Sequence, residues 1–274
     1  MSLFIASLNS GSNGNCYYIG NNSEAVLIDA GISCRETEKR MKKLNLPMQN
    51  VKAIFISHEH SDHITGVPGL SKKYQLPVYI TTSTLASSGI PIEKNLVQSF
   101  YTDQPVNIGR LSVVGFSKFH DASDPHSFII SEKNITVGVF TDIGHACKEV
   151  IKNFKQCHAA FLESNYCEEM LANGNYPEFL KKRISGDNGH LSNAQALELF
   201  VKYRDKQLSH LILSHLSKNN NSTSLVKNIF EEHAGNTKII VAGRYKETEV
   251  FCIDKITQTT KRNKKTSELQ LSLF

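Results

Sequence analysis

A layered α/β fold is predicted from three observations. Short apolar runs rich in β-branched residues recur along the chain, each ends in a polar residue able to do chemistry, and amphipathic stretches separate them. Ala25 to Ile28 runs into Asp29, and Val51 to Ile56 into Ser57-His58. Ile135 to Phe140 runs into Thr141-Asp142, Ala159 to Leu162 into Glu163, and Leu208 to Leu213 into Ser214-His215. Runs of this length and composition read as strands, and apolar residues on both faces predict cover on both sides. Between them, Arg35 to Leu44 places Met41 and Leu44 at helical spacing, with Pro47 just past the end. His63 to Tyr74 reads as one helix starting directly after a histidine cluster. Ser192 to Arg204 is the clearest helix, with Ser192 or Asn193 as cap and Leu197 and Val201 on one face. Polar residues just past strand ends are where open α/β sheets carry their sites. A strand followed by a candidate ligand in each half also hints at an internal repeat.

The chain has 274 residues, a size that suits one large α/β domain. With 40% hydrophobic and 21% charged residues it has a globular balance, so disorder is not expected for most of its length. The net charge of +5 is mild, and part of it sits in Lys255, Lys261, Arg262, Lys264 and Lys265. From Thr257 to Phe274 the chain turns polar and basic and is expected to be a flexible tail. A weak positive field favours an anionic substrate but does not establish nucleic-acid binding. The Lys181-Lys182-Arg183 run is read first as a solvated face, with phosphate contact as the sharper alternative. None of the six cysteines forms a CxxC pair, which argues against a disulfide framework or a cysteine zinc site and for a reducing compartment. Met1 to Ile5 lacks a secretory pattern and no apolar run reaches membrane-spanning length, so a cytoplasmic protein without a membrane partner is expected.

The chemistry concentrates in Ser57-His58-Glu59-His60-Ser61-Asp62-His63. Four candidate ligands, His58, His60, Asp62 and His63, follow a strand within one tight loop. Imidazole and carboxylate together suit zinc, iron or manganese. Four ligands this close along the backbone point in different directions, so two adjacent ions fit better than one. His58 and His60 would face one ion, Asp62 and His63 the other. A merely solvated polar loop is the competing reading, and a pattern of this kind after a buried run is improbable by chance.

These residues resemble the signature of the metallo-β-lactamase superfamily, and the resemblance extends over nearly the whole chain. It implies an αββα sandwich of two mixed sheets flanked by helices, over a hydrolase domain of residues 1–256. Asp29, in Leu27-Ile28-Asp29-Ala30-Gly31, then looks like the carboxylate that orients the histidine loop from behind. His120 resembles the third histidine of the first metal, Asp142 the carboxylate that bridges both metals, and His215 the last histidine of the second. His126 rivals His120, but the His120-Asp121-Ala122 context fits better after Gly115 to Phe119, which reads as a strand. Ser10-Gly11-Ser12-Asn13-Gly14-Asn15, His120-Asp121-Ala122 with Pro125, and Gly189-His190-Leu191-Ser192-Asn193 resemble the YycJ/WalJ branch, related to ribonuclease Z and the PhnP phosphodiesterases. Leu3 to Leu8 would be the opening strand.

The resemblance implies a hydrolase of phosphodiesters, DNA or RNA ends or a small molecule, with two divalent ions (zinc first, manganese or iron as alternatives) that ionise a shared water. Asp62 is expected to serve catalysis as well as the metal. His190 is the candidate proton donor, with phosphate binding and simple packing as its alternatives. Ser10, Ser12, Asn13 and Asn15 form a loop suited either to a phosphate or to a β-turn, and Ser192 and Asn193 are further phosphate candidates. Lactone, thioester or β-lactam hydrolysis is the rival chemistry, because a fold hosts many functions. A redox or sensor role is weaker, since His60 is present and no flavin domain follows.

Overall fold

The computed structural model describes residues 2–254. The strands are β1 (Leu3–Asn9), β2 (Cys16–Gly20), β3 (Ala25–Ile28), β4 (Val51–Phe55), β5 (Val78–Tyr79), β6 (Val97–Gln98), β7 (Pro105–Ile108), β8 (Leu111–Ser117), β9 (His126–Glu132), β10 (Ile135–Phe140), β11 (Ala159–Glu163), β12 (His210–Ser214), β13 (Lys238–Val241) and β14 (Phe251–Ile253). The helices are α1 (Cys34–Lys43), α2 (Ser61–Ile64), α3 (Val67–Tyr74), α4 (Thr82–Ser88), α5 (Lys148–Phe154), α6 (Glu168–Asn173), α7 (Glu178–Ser185), α8 (Asn193–Tyr203) and α9 (Thr223–Glu231). Among the described residues the strands form two seven-stranded mixed sheets, ordered β14-β1-β2-β3-β4-β5-β6 and β13-β12-β11-β10-β9-β8-β7. In the first, antiparallel pairing from β14 to β3 gives way to parallel pairing from β3 to β6. The second repeats the pattern, antiparallel from β7 to β10 and parallel from β10 to β13. The repeat hinted at by the sequence is therefore explicit in the pairing order.

Cover on both faces explains the unbroken apolar strands. In β3, Val26 and Ile28 join the core between the sheets, while Ala25 and Leu27 pack with Met41 of α1 and Leu70 of α3. In β11, Ala159 and Phe161 enter the inter-sheet core, while Ala160 and Leu162 pack with Phe154 of α5, Leu199 of α8 and Phe230 of α9. Helices thus lie outside each sheet, the expected αββα sandwich, and no helix among the described residues is long and apolar enough to cross a membrane.

Three boundaries differ from the sequence expectation. The stretch His63 to Tyr74 is two helices, not one. Gly66 interrupts it: its N–H donates to the Ala30 carbonyl at 2.7 Å, and a Cβ there would stand 1.9 Å from the Ile32 oxygen. Pro68, in the first turn of α3, has no N–H to continue the α2 ladder. Strand β8 stops at Ser117, and the Phe119 carbonyl instead accepts from Gly144 N–H at 2.7 Å. Strand β12 starts at His210, two residues later than expected. The basic tail expected from Thr257 lies outside the described residues.

Candidate metal centre

The loop after β4 turns its side chains toward the ends of β10 and β12 in the opposite sheet. His58 Nε2 lies 3.1 Å from His60 Nδ1, which lies 3.4 Å from His120 Nε2. Donor atoms of these three residues fall within 4.8 Å of one another. Asp62, His63 and His215 form a second such group, with Asp62 Oδ2 at 3.6 Å from both His63 Nε2 and His215 Nε2. Asp142 stands between them. Its Oδ2 is 3.2 Å from His63 Nε2, and its Oδ1 is 3.2 Å from His215 Nδ1 and 3.9 Å from His120 Nε2. The seven residues singled out in the sequence therefore come together: His60, Asp62, His120, Asp142 and His215 line one cleft of about 350 Å³, and His58 and His63 are buried behind it within reach of the same donors.

The donor set fits divalent ions. Asp142 Oδ2 and His215 Nε2 are buried and make no well-formed hydrogen bond among the described residues; the candidate donors His63 Nε2 and Asp62 Oδ2 lie 3.2 Å and 3.6 Å from them, respectively. Buried polar atoms are normally satisfied, so these two are placed to ligate a cation. Clustered imidazoles and carboxylates, with no thiolate among them, match zinc, manganese or iron.

The backbone around the donors is held from several directions. Asp29, Asp142 and His215, each just past a strand, adopt left-handed φ values of 59°, 55° and 56°. Such conformations in non-glycine residues cost free energy and cluster at functional sites. Asp29 lies beneath the histidine loop: its Oδ1 accepts from Ser57 N–H at 2.8 Å and its Oδ2 lies 2.7 Å from His63 Nδ1. Asn15 Nδ2 donates to Asp62 Oδ2 at 3.1 Å, and Ser10 Oγ accepts from His215 N–H at 2.7 Å.

Glu163, at the end of β11, was given no role from the sequence and is central here. Its Oε1 lies 2.8 Å from His190 Nδ1 and 2.9 Å from His215 Nδ1, while its Oε2 accepts from Ile143 N–H at 2.8 Å. The signal was present, a carboxylate ending a buried strand, but its partners arrive from remote stretches of chain. Glu163→Gln keeps the shape and removes the charge, so metal affinity or kcat should fall about 10- to 100-fold. Metal titration alongside kcat checks this, and wild-type values in both would rule the role out.

The charges of the two triads differ. Burial holds His58 well below the ordinary imidazole range and pushes His120 down to about 4. Burial also disfavours charge on His63 and His215, but carboxylates outweigh it. Asp142, Asp29 and Asp62 hold His63 well above its usual value, and Asp142, Asp62 and Glu163 lift His215 to about 10. Asp62 and Glu163 are held at about 2 against burial, by His63 and His215 for the first and by His190 and His215 for the second. At neutral pH, then, His63 and His215 carry protons that a metal must displace, while the carboxylates are already ionised. Loading divalent ions should release about two protons, and affinity should weaken as pH falls. Calorimetry in buffers of different ionisation enthalpy counts those protons; a count of zero would contradict the assignment.

The remaining sequence candidates separate. His190 and Ser12 line the cleft. Asn13 instead donates to the Arg244 carbonyl at 2.7 Å. Ser192 and Asn193 are corrections: both are buried, Ser192 Oγ caps α8 through Gln195 N–H, and Asn193 joins Ser164 and Asn221, so neither faces a phosphate. His126 is also apart from the donors, with Nε2 2.9 Å from Thr102 Oγ1. In the basic run, Lys181 Nζ donates to the Ala172 carbonyl and Arg183 reaches Asp121 at the cleft.

A family model described as a β-lactamase superfamily domain matches residues 24–216. The chain is 34% identical over 232 residues to Exodeoxyribonuclease YycJ of Bacillus anthracis, covering 83% of this chain and 87% of that one. It is 29% identical over 223 residues to Exodeoxyribonuclease WalJ of Streptococcus pneumoniae, covering 80% and 83%. Among solved structures, the metallo-beta-lactamase fold protein YhfI from Bacillus subtilis matches with TM-score 0.72 at 15% identity, over 92% of this chain and 100% of its own. The short form of human tRNase Z matches with TM-score 0.64 at 15% identity, over 92% and 99%. At such identities the two structures share the fold with this chain.

Proposed function

The chain belongs to the β-lactamase superfamily, and from that premise we propose that it is a metal-dependent phosphodiesterase of exonuclease type, acting on DNA or RNA ends or on a small phosphodiester. The observation that carries this reading is the convergence of two donor triads, with Asp142 between them, in one open cleft. The exodeoxyribonucleases it resembles over most of their length support the choice of substrate.

His58, His60 and His120 would hold one ion, Asp62, His63 and His215 a second, and Asp142 both. Zinc is the first candidate, and manganese or iron accept the same donors. When bound, the ions supply Lewis acidity and make a shared water acidic enough to ionise at neutral pH. Asp62, steadied by Asn15, orients the attacking water at the cleft floor. His190 protonates the departing oxygen: Glu163 engages its Nδ1, leaving Nε2 for the substrate. Ser12, exposed in the glycine loop, is placed to meet a phosphoryl oxygen. The six free cysteines, Cys16 to Cys252, support a reducing compartment, the cytoplasm.

The test is a panel on metal-reconstituted protein: bis-p-nitrophenyl phosphate, end-labelled DNA and RNA, a lactone and nitrocefin. Cleavage of the phosphodiesters is expected. Turnover of only the lactone and nitrocefin would overturn the reading.

A further inference from the structure

The cleft has two unlike sides. One is the donor side. The other is built by the segment between β11 and α8, where Tyr176, Leu180, Arg183 and Ile184 line the same cavity. Phosphoryl transfer at metal ions needs no apolar surface, which leaves this wall free for another part of a substrate. Helix α7 contains no buried residue, although it carries Phe179, Leu180 and Ile184. Leu180 and Ile184 are one turn apart and face the cleft, and Phe179 is 74% exposed, with Lys182 and Arg183 one turn further on. Arg183 Nε donates to Asp121 Oδ2 at 2.5 Å, and its two terminal nitrogens have no hydrogen-bond partner among the described residues. An aromatic ring and aliphatic side chains interleaved with cations is the chemistry that grips a single strand, bases against rings and phosphates against charge. The cavity, about 350 Å³, is near the lower end for small-ligand sites, a size that suits one nucleotide.

We propose that the wall formed by Tyr176, Leu180 and Ile184 is a subsite for the unpaired base next to the scissile phosphodiester, with Arg183 meeting a backbone phosphate. Its choice of occupant rests on the phosphodiester reading. Continuity with the donor cleft and the cation beside the wall favour a nucleotide over an acyl chain. Phe179, on the outer side of α7, offers a second surface to the following base.

The test is binding, measured by fluorescence anisotropy on the metal-loaded full chain. The probes are a short labelled single strand with a cleavage-resistant phosphorothioate backbone and an abasic strand of the same length. Wild type should bind the base-bearing strand about tenfold more tightly than the abasic one. Tyr176→Ala should abolish that preference, and Tyr176→Phe, which keeps the ring and loses only the hydroxyl that accepts from Asn219 at 3.0 Å, should retain it. Leu180→Ser reads the same contrast should Tyr176→Ala fail to fold. Equal binding of the two strands by wild type overturns the proposal, as does an equal loss on both strands in Tyr176→Ala. A base preference without hydrolysis of any phosphodiester would sink the catalytic reading while leaving the subsite in place.

Discussion

Asp62→Ala should lower kcat on a phosphodiester by about a thousandfold, while the metal-free chain should lose no more than about 1 kcal/mol of stability. The two effects separate because of where the side chain lies. Asp62 is partly exposed on the cleft floor, and its contacts are with donors: His63, His215 and the amide of Asn15. Its removal would delete one candidate donor from the second triad and the group proposed to orient water, but would open no core cavity. Paired measurements decide the matter: turnover of bis-p-nitrophenyl phosphate at saturating metal, and thermal melting of both proteins in chelator. Wild-type turnover in the variant would end the assignment, and a large drop in melting temperature would recast Asp62 as a structural residue.

Gly31→Ala carries the largest expected loss of stability. A Cβ at this position would stand 1.7 Å from the Asp62 carbonyl oxygen, 2.4 Å from its carbon and 2.6 Å from Asn15 N. These are backbone atoms and cannot rotate aside. They also belong to a tight seam: Asn15 N–H donates to the Asp62 carbonyl at 2.7 Å and Gly31 N–H to the Asn15 carbonyl at 2.8 Å. One methyl group would pry the glycine loop, the turn after β3 and the histidine loop apart together. The expected cost is about 3 kcal/mol or more, a fall in melting temperature of roughly 10 °C, with weaker metal binding. Gly89→Ala is the control: its φ is 62°, but nothing lies within 4 Å of the added Cβ, so only the modest penalty of a left-handed alanine applies. Similar melting of the two variants would show that the seam has slack.

The sandwich was legible because covered strands leave unbroken apolar runs, and because each run stops at a polar residue. Val51 to Ile56 followed by His58 and Ile135 to Phe140 followed by Asp142 are the clearest cases. The helix after the histidine cluster was misread because Gly66 and Pro68 break it, and the need for Gly66 lies in a tertiary approach to Ile32. The seven donors were legible as a set through their resemblance to a known family. Glu163 was not, since its importance comes from His190 and His215, 27 and 52 residues away in the chain. Ser192 and Asn193 were over-read for a related reason: a polar residue before a helix caps it whether or not a ligand is near, and here the cap and the Asn221 network use both side chains. The wall of Tyr176 and α7 gave no sequence signal beyond a basic run.

The paired sheets divide the donors between them. His58, His60, Asp62 and His63 follow β4 in the first sheet, whereas His120, Asp142 and His215 come from the second. No single stretch of nascent polypeptide can therefore assemble either triad in full. During synthesis the second triad stays open until His215 has been added and has emerged from the ribosome. Cation capture by these donors would thus be a late event, fastening the two halves to each other, and an N-terminal fragment ending before β7 would carry its histidine loop with nothing to close it.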